Sequence, residues 1–336
     1  RHTRSLCDWS SDVCSSDLLH TQEPAASWRA ASEPVATPLG IGAVEFLGGR
    51  RWFKTVPQSR AEIHGALVKG VPYGMLVNLV DALEPVAKLQ PQLQHIYAVH
   101  GSKYYGHQLG PVPIPMVETQ ARATNQNFYF NQLDFLAERS KRASWTYSTS
   151  RPHAFCDPAI DHPRSIGLVI AVFAMIQKEL GLPLDYPGTD KGFHTTTQFT
   201  DLALLARSAV WMANEPRCAN QDFNVVNGDW PRWSELWPDF AAYFGMKVGT
   251  PKNLKLEDWI KDKTPVWNTL VKKHNLAATD VQTLALWPYG DYQLRPQWDV
   301  SSSMEKARRL GFNDAVNSYA MFRKQFNNYR AHRVIP

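Results

Sequence analysis

Cysteine is scarce in this 336-residue chain, four in all, and Cys7 and Cys14 fall near its start. Cys156 and Cys218 have no neighbour at metal-ligand or disulfide-motif spacing, which excludes a zinc ribbon or a disulfide framework and leaves two reduced core thiols. Long apolar runs are also lacking. The longest, Ile166 to Ile176, spans eleven residues and ends in Gln177-Lys-Glu179, well short of the roughly 20 that a membrane helix needs. Neither sign of charge dominates: 36 Lys and Arg face 31 Asp and Glu, dispersed rather than striped, which argues against a nucleic-acid face. No Gly-x-Ser-x-Gly elbow occurs, and His194 beside Thr195-Thr-Thr197 is a lone histidine, so serine hydrolysis and metal catalysis are disfavoured. With no export or membrane signal, cytoplasmic residence is expected.

The glycine-rich loop that cradles a pyrophosphate is missing as well. Gly40-Ile-Gly42, followed by Gly48-Gly49 and Arg50-Arg51, has no apolar strand before it and no third glycine at the required spacing. Glu45 would also meet the phosphate with a like charge. Asp8-Trp-Ser-Ser-Asp-Val-Cys-Ser-Ser-Asp-Leu18 reads as one translated frame of a common sequencing adapter, so residues 1–18 are expected to be an artefact. Residues 19–60 carry no helical or strand period and are read as unassigned, either foreign sequence or a divergent opening segment.

What is present is a globular enzyme composition. At 44% hydrophobic and 12% aromatic the chain can bury one large core, and no repeat or low-complexity tract interrupts it. Leu67, Val71, Met75, Leu79 and Leu83 form a helical stripe over 67–83, stopped by Pro85. A strand is predicted over His95–Val99, then a proline-broken loop through Pro111, Pro113 and Pro115. A helix follows over Asn127–Arg142 and a strand over Trp145–Ser150, ending at Arg151-Pro152. Further helices are expected over Ser165–Leu180 and Thr200–Asn214, the latter capped by Thr200 or Asp201. Phe223–Val226 is a short strand, and Pro231 opens a helix at its first turn. The remainder from Leu254 is helix-rich, with Trp259, Trp267, Trp287 and Trp298 read chiefly as packing residues.

Six landmarks stand in order: Gly101-Ser-Lys-Tyr-Tyr-Gly106, Asn127-Phe-Tyr-Phe130, Ser150-Arg-Pro-His153, Phe223-Asn-Val-Val-Asn-Gly-Asp229, Pro265-Val-Trp267, and Ser303-Met-Glu-Lys306 before Leu310-Gly-Phe312. Together they make residues 61–336 resemble the progesterone 5β-reductase and iridoid synthase-like branch of the extended short-chain dehydrogenase/reductases. The resemblance implies an α/β, Rossmann-like, mostly parallel sheet lacking its first strand-loop-helix. The sheet core would run to about 230, with a helix-rich C-terminal substrate lobe built from insertions around 160–200 and 230–336. It implies an NADPH-dependent reductase of activated C=C bonds, with NADH as the other cofactor choice and a small enone or enal as substrate. This chain would be impaired by the missing loop. A non-catalytic nucleotide- or small-molecule-binding module is the competing reading.

Hydride addition at the β-carbon of an enone pushes charge onto the carbonyl oxygen, so a donor or cation must face that oxygen. By resemblance, Lys103 is the lysine that does so and also holds the nicotinamide ribose. The partner phenol of the family falls at Phe130, which cannot donate. Three routes stay open: Tyr129 substitutes after a local shift, Lys103 or a bound water suffices, or reductase chemistry is lost. Neighbouring helical side chains diverge by about 100°, so Tyr129 does not simply occupy the Phe130 position, and packing is its alternative role. The Tyr-x-x-x-Lys pair of alcohol dehydrogenases is absent, because Leu133 and Asp134 stand where its lysine would be. The resemblance further implies cofactor contacts from Arg151, Pro152 and His153, and a substrate pocket lined by Tyr104, Tyr105, Phe130 and Tyr319.

Overall fold

The structure, a computed structural model, describes residues 71–86, 93–156, 160 and 162–336. The readings for residues 1–18, 19–60 and the front of the first helix lie outside these. In chain order the elements are α1 (Val71–Val86), β1 (His95–Val99), α2 (Phe128–Ser140), β2 (Thr146–Pro152), β3 (Phe155–Cys156), α3 (Ile166–Glu179), β4 (Leu184–Tyr186), α4 (Asp190–His194), β5 (Thr200–Asp201) and α5 (Leu202–Asn214). Then come β6 (Gln221–Val225), α6 (Trp233–Phe244), β7 (Val248–Pro251), α7 (Leu256–Trp259), α8 (Thr264–His274), α9 (Val281–Leu284), α10 (Trp287–Gln293), α11 (Glu305–Arg309) and α12 (Ser318–Ala331). A three-stranded sheet has the order β1-β2-β6, while β3 pairs with β5 and β4 with β7, both parallel. Parallel strands joined through helices are the Rossmann-like α/β arrangement expected from the sequence.

The chain divides into two compact units, one of residues 71–100, 122–149 and 215–222 among those described, the other of 101–121, 150–214 and 223–336. In the first, α1 packs on α2 through Tyr73 and Phe135, whose rings meet edge to face at 6.0 Å. Arg139 joins the two helices by donating Nε–H to Glu84 at 3.0 Å, and this bond holds the Glu84 carboxyl below the usual carboxylate range. Asn127 caps α2, its side-chain oxygen accepting from Tyr129 N at 3.0 Å, which starts the helix at Phe128.

In the second unit α3 is buried on nearly every side, from Ile166 to Gln177, and α8, α10 and α12 pack around it. A helix apolar all round is a core helix, which accounts for the long hydrophobic run. Trp233, Trp237, Phe240, Phe322 and Phe326 interlock beside it in edge-to-face, tilted and stacked pairs 5.1–6.3 Å apart. Asp201, rather than Thr200, caps α5: its carboxylate accepts from Leu204 N at 3.0 Å, while Thr200 is held in β5. Pro231 does not open α6. Its carbonyl accepts from Thr197 N at 3.0 Å, which ties it into a bridge before the Arg232 cap, so the helix begins at Trp233. Cys156 and Cys218 are buried and form no disulfide. Among the described residues no helix is long and apolar enough to cross a membrane, and no group of three His, Cys, Asp or Glu residues could hold a metal ion.

Candidate active site

Lys103 sits in a single 3-10 turn, Ser102–Tyr105, that follows β1 in the chain. The turn closes through Tyr104 N donating to Gly101 O at 2.9 Å and Gly106 N donating to Lys103 O at 3.0 Å. Gly106 ends it with φ of 81°, a left-handed conformation that side chains resist. Flanking residues are buried, so the half-buried lysine is presented from a fixed base.

Ser102 anchors that base from behind. Its Oγ lies 3.0 Å from His107 Nε2 and 2.6 Å from His153 Nδ1. Between two neutral imidazoles, the hydroxyl donates to one ring nitrogen and accepts an N–H from the other. Trp298 pins the far side by donating its indole N–H to His107 O at 2.7 Å. Burial, then the nearby Lys103 charge, lowers the His153 imidazole to about 4. Burial, then His153 and Lys103, holds His107 well below its ordinary range. Both rings are therefore neutral at pH 7, beside the Lys103 ammonium.

These shifts have a sign that can be measured. Unfolded, both histidines titrate near 6.5; folded, their proton affinity is depressed, so the unfolded chain binds more protons below pH 6.5. Their stabilising contribution is complete above that pH and is lost as pH falls from 6.5 towards 4. At 1.36 kcal/mol per unit, a fall from 6.5 to about 4 makes His153 alone account for about 3 kcal/mol. Urea unfolding across this range should show the decline, and His153→Phe should flatten it; an equally steep decline in the variant would assign the effect elsewhere.

Arg151 lies beneath the turn, 1% exposed. Its guanidinium carbon is 3.5 Å from the Tyr104 ring centroid and 5.2 Å from that of Tyr105. Nη1 donates to Tyr105 Oη at 3.0 Å, and Tyr105 donates on to Asn224 Oδ1 at 2.7 Å. Asn224 closes the network, its amide Nδ2 donating to Met116 O at 2.9 Å and its backbone N–H to Glu118 Oε1 at 2.8 Å. Burial pushes the Tyr105 phenol up to about 12 and raises the Glu118 carboxyl. Tyr104 and Tyr105 thus serve as the bed for a buried cation. Pro152 is buried in β2, and the His153 backbone N–H donates to Thr200 Oγ1 at 3.0 Å. Tyr319 stands in the first turn of α12, half-buried against the core, where burial and then Glu235, Asp229 and Asp239 raise its phenol.

Tyr129 and Phe130 belong to the first unit. The Tyr129 ring is buried, 5.2 Å from His100 and 4.5 Å from Phe128, and Phe130 is 8% exposed with the Arg122 guanidinium 5.1 Å over its ring. A cleft of about 740 Å³ opens at Phe130, lined also by Arg122, Asn125, Asn127, Asn131 and Asp134. Arg122 grips Asp134 with two bonds of 2.9 Å, so the charges on this wall are paired. The structure therefore joins Lys103, Tyr104, Tyr105, Arg151 and His153 into one cluster. It adds Ser102, His107, Glu118, Asn224 and Trp298, which the motifs alone do not single out.

Parallel strand pairs joined through helices, with the lysine turn after β1 and Arg151-Pro152 closing β2, define a Rossmann-like α/β fold. The family model described as the PRISE-like Rossmann-fold domain matches residues 74–336, and the chain belongs to this family. It is 31% identical to the 3-oxo-Delta(4,5)-steroid 5-beta-reductase of Arabidopsis thaliana, over 78% of this chain and 69% of that protein. It is 30% identical to an (S)-8-oxocitronellyl enol synthase of Nepeta racemosa, over 78% and 69%, and 30% identical to a short chain dehydrogenase of Penicillium aethiopicum, over 77% and 73%. In fold it is similar to the Bordetella bronchiseptica enzyme WbmG in complex with NAD and UDP, with a TM-score of 0.51, 16% identity, and 84% and 70% of the chains covered. It is likewise similar to RMD from Pseudomonas aeruginosa complexed with NADPH, with a TM-score of 0.50, 13% identity, and 76% and 72% covered.

Proposed function

We propose that the protein reduces the C=C bond of an activated enone or enal, with NADPH as hydride donor. The observation that carries this reading is Lys103: a cation held on a closed turn and backed by two neutral imidazoles, the kind of group that a carbonyl oxygen gaining charge requires. The names of the curated relatives, a steroid 5-beta-reductase and an enol synthase, support the same chemistry.

The residues fit a nicotinamide cofactor. In open α/β sheets ligands lie outside the carboxyl ends of strands, and the Ser102–His153 bond brings the Lys103 turn and the end of β2 together there. When bound, the cofactor supplies the hydride. Lys103 would meet the ribose hydroxyls. The His153 N–H is engaged with Thr200, so Arg151–His153 would offer a carboxamide backbone carbonyls in place of that donor. During reduction Lys103 holds the oxygen that gains charge, while the Arg151 guanidinium is buried against Tyr104 and Tyr105 and the two imidazoles stay neutral.

Phe130 favours a second reading, a module that binds nucleotide without turnover, because the family phenol is absent there. Two measurements separate the readings: NADPH titration followed by nicotinamide fluorescence, and NADPH consumption with a panel of enones and enals. Saturable binding with turnover is expected. Binding with no consumption across the panel would establish the second reading, and no binding would count against both.

A further inference from the structure

We infer that the cleft at Phe130 is a binding site for a neutral, hydroxyl-rich group, a sugar ring or a polyol. At about 740 Å³ the cleft falls within the range of small-molecule pockets, and every residue lining it belongs to the first compact unit.

Charge decides against an ionic ligand. One cation and one anion line the cleft, Arg122 and Asp134, and Arg122 Nη1 donates to both Asp134 oxygens at 2.9 Å. An anion would have to displace Asp134, and a cation would have to displace Arg122. The same guanidinium lies 5.1 Å over the Phe130 ring, which is only 8% exposed, so a flat heterocycle finds no open aromatic face to stack on.

The rest of the lining is dominated by carboxamides. Asn125, Gln126, Asn127 and Asn131 each carry a group that donates and accepts. Asn127 gives its side-chain oxygen to Tyr129 N at 3.0 Å as the cap of α2, which leaves its amide N–H groups facing other partners. Asn125 donates to Gln126 O at 3.3 Å, while its Oδ1 is turned away from water with no donor among the described residues. An acceptor left unmet in this way is costly. The terminal torsion of asparagine is soft, so an entering O–H can draw that oxygen into the cleft and remove the cost. A hydroxyl both donates and accepts, and adjacent hydroxyls on one ring therefore match the alternating amide groups of this wall. An enone carbonyl only accepts and leaves Asn125 Oδ1 unmet, so this site is distinct in chemistry from the proposed reduction.

The test is calorimetry and saturation-transfer NMR on the full chain with neither NADPH nor enone present, which separates its outcome from that of the reductase reading. The probes are the methyl glycosides of glucose, galactose and mannose, the corresponding free sugars, and myo-inositol, with glutarate as an anionic control. At least one neutral probe should bind saturably, with an affinity that hardly changes between about 50 and 500 mM salt because the charges on the wall are already paired. Asn125→Leu keeps the bulk of the side chain and removes the amide; Asn131→Ala trims an exposed position of α2 and leaves the helix intact. Each should weaken binding about fivefold, the loss expected for one hydrogen bond, and Asn131→Ala should melt like the wild type. Equal binding of a free sugar and its glycoside would identify a free saccharide as the ligand, and preference for the glycoside would identify a glycosyl group on a larger molecule. No saturable binding of any neutral probe would mean that the cleft holds water only and would overturn the inference. Binding that both variants leave unchanged, or tighter binding of glutarate, would overturn it equally.

Discussion

Lys103→Met is expected to lower kcat/KM for enone reduction by about 10³-fold, the upper end of what removing one oxyanion donor costs. Methionine keeps the unbranched length and removes the charge, and the turn closes through backbone bonds that the substitution leaves alone. The substitution removes a cation–π contact with Tyr292, worth about 0.5–1 kcal/mol, while the turn's backbone closure stays, so the variant should still fold. Steady-state kinetics beside a thermal melt make the check. A fall of less than about tenfold would remove Lys103 from the oxyanion site, and a melt shifted as far as the activity would make its role structural.

Arg151→Leu should have the largest effect on stability, about 3–4 kcal/mol, read from the urea midpoint at constant slope. The guanidinium fills the space against Tyr104, donates to Tyr105 and, after Lys306, supplies positive charge to the half-buried Glu118 carboxyl. Removing it leaves a void, takes a donor from Tyr105 and buries a carboxylate with less to balance it. Arg151→Lys keeps charge without the planar fork that stacks and donates together, and should cost about 1–2 kcal/mol. A loss below about 1 kcal/mol for the leucine variant would show that Arg151 does not organise this cluster.

The two variants probe residues whose legibility in the sequence differed. Lys103 was readable because the glycines and aromatics around it are local, and local chemistry sets a turn. The helix starts near Asn127 and Ser165 and the apolar run of α3 were readable for the same reason, since periodicity and helix-start signals act within a few residues, though that both residues serve as caps shows only in the structure. Pro231 was misplaced because long-range pairing, Thr197 N–H to the Pro231 carbonyl and the Thr196–Arg232 bridge, rather than its own fixed φ, decides where α6 begins. The role of Tyr104 and Tyr105 under Arg151 was hidden by distance along the chain, since Asn224 and Glu118 complete that network from other segments. Tyr292 gave no signal at all: it meets Lys103 only once α10 has folded against α3 and α7. Trp298 shows that packing and positioning are not exclusive, because its indole reaches the loop that holds His107.

The most direct test of the whole account is a single turnover with NADPH deuterated at the transferable position and a simple cyclic enone, followed by NMR of the product. The account predicts a saturated ketone carrying deuterium at the β-carbon. Deuterium at the carbonyl carbon of an allylic alcohol, or none in the organic product while NADPH binds, would contradict it.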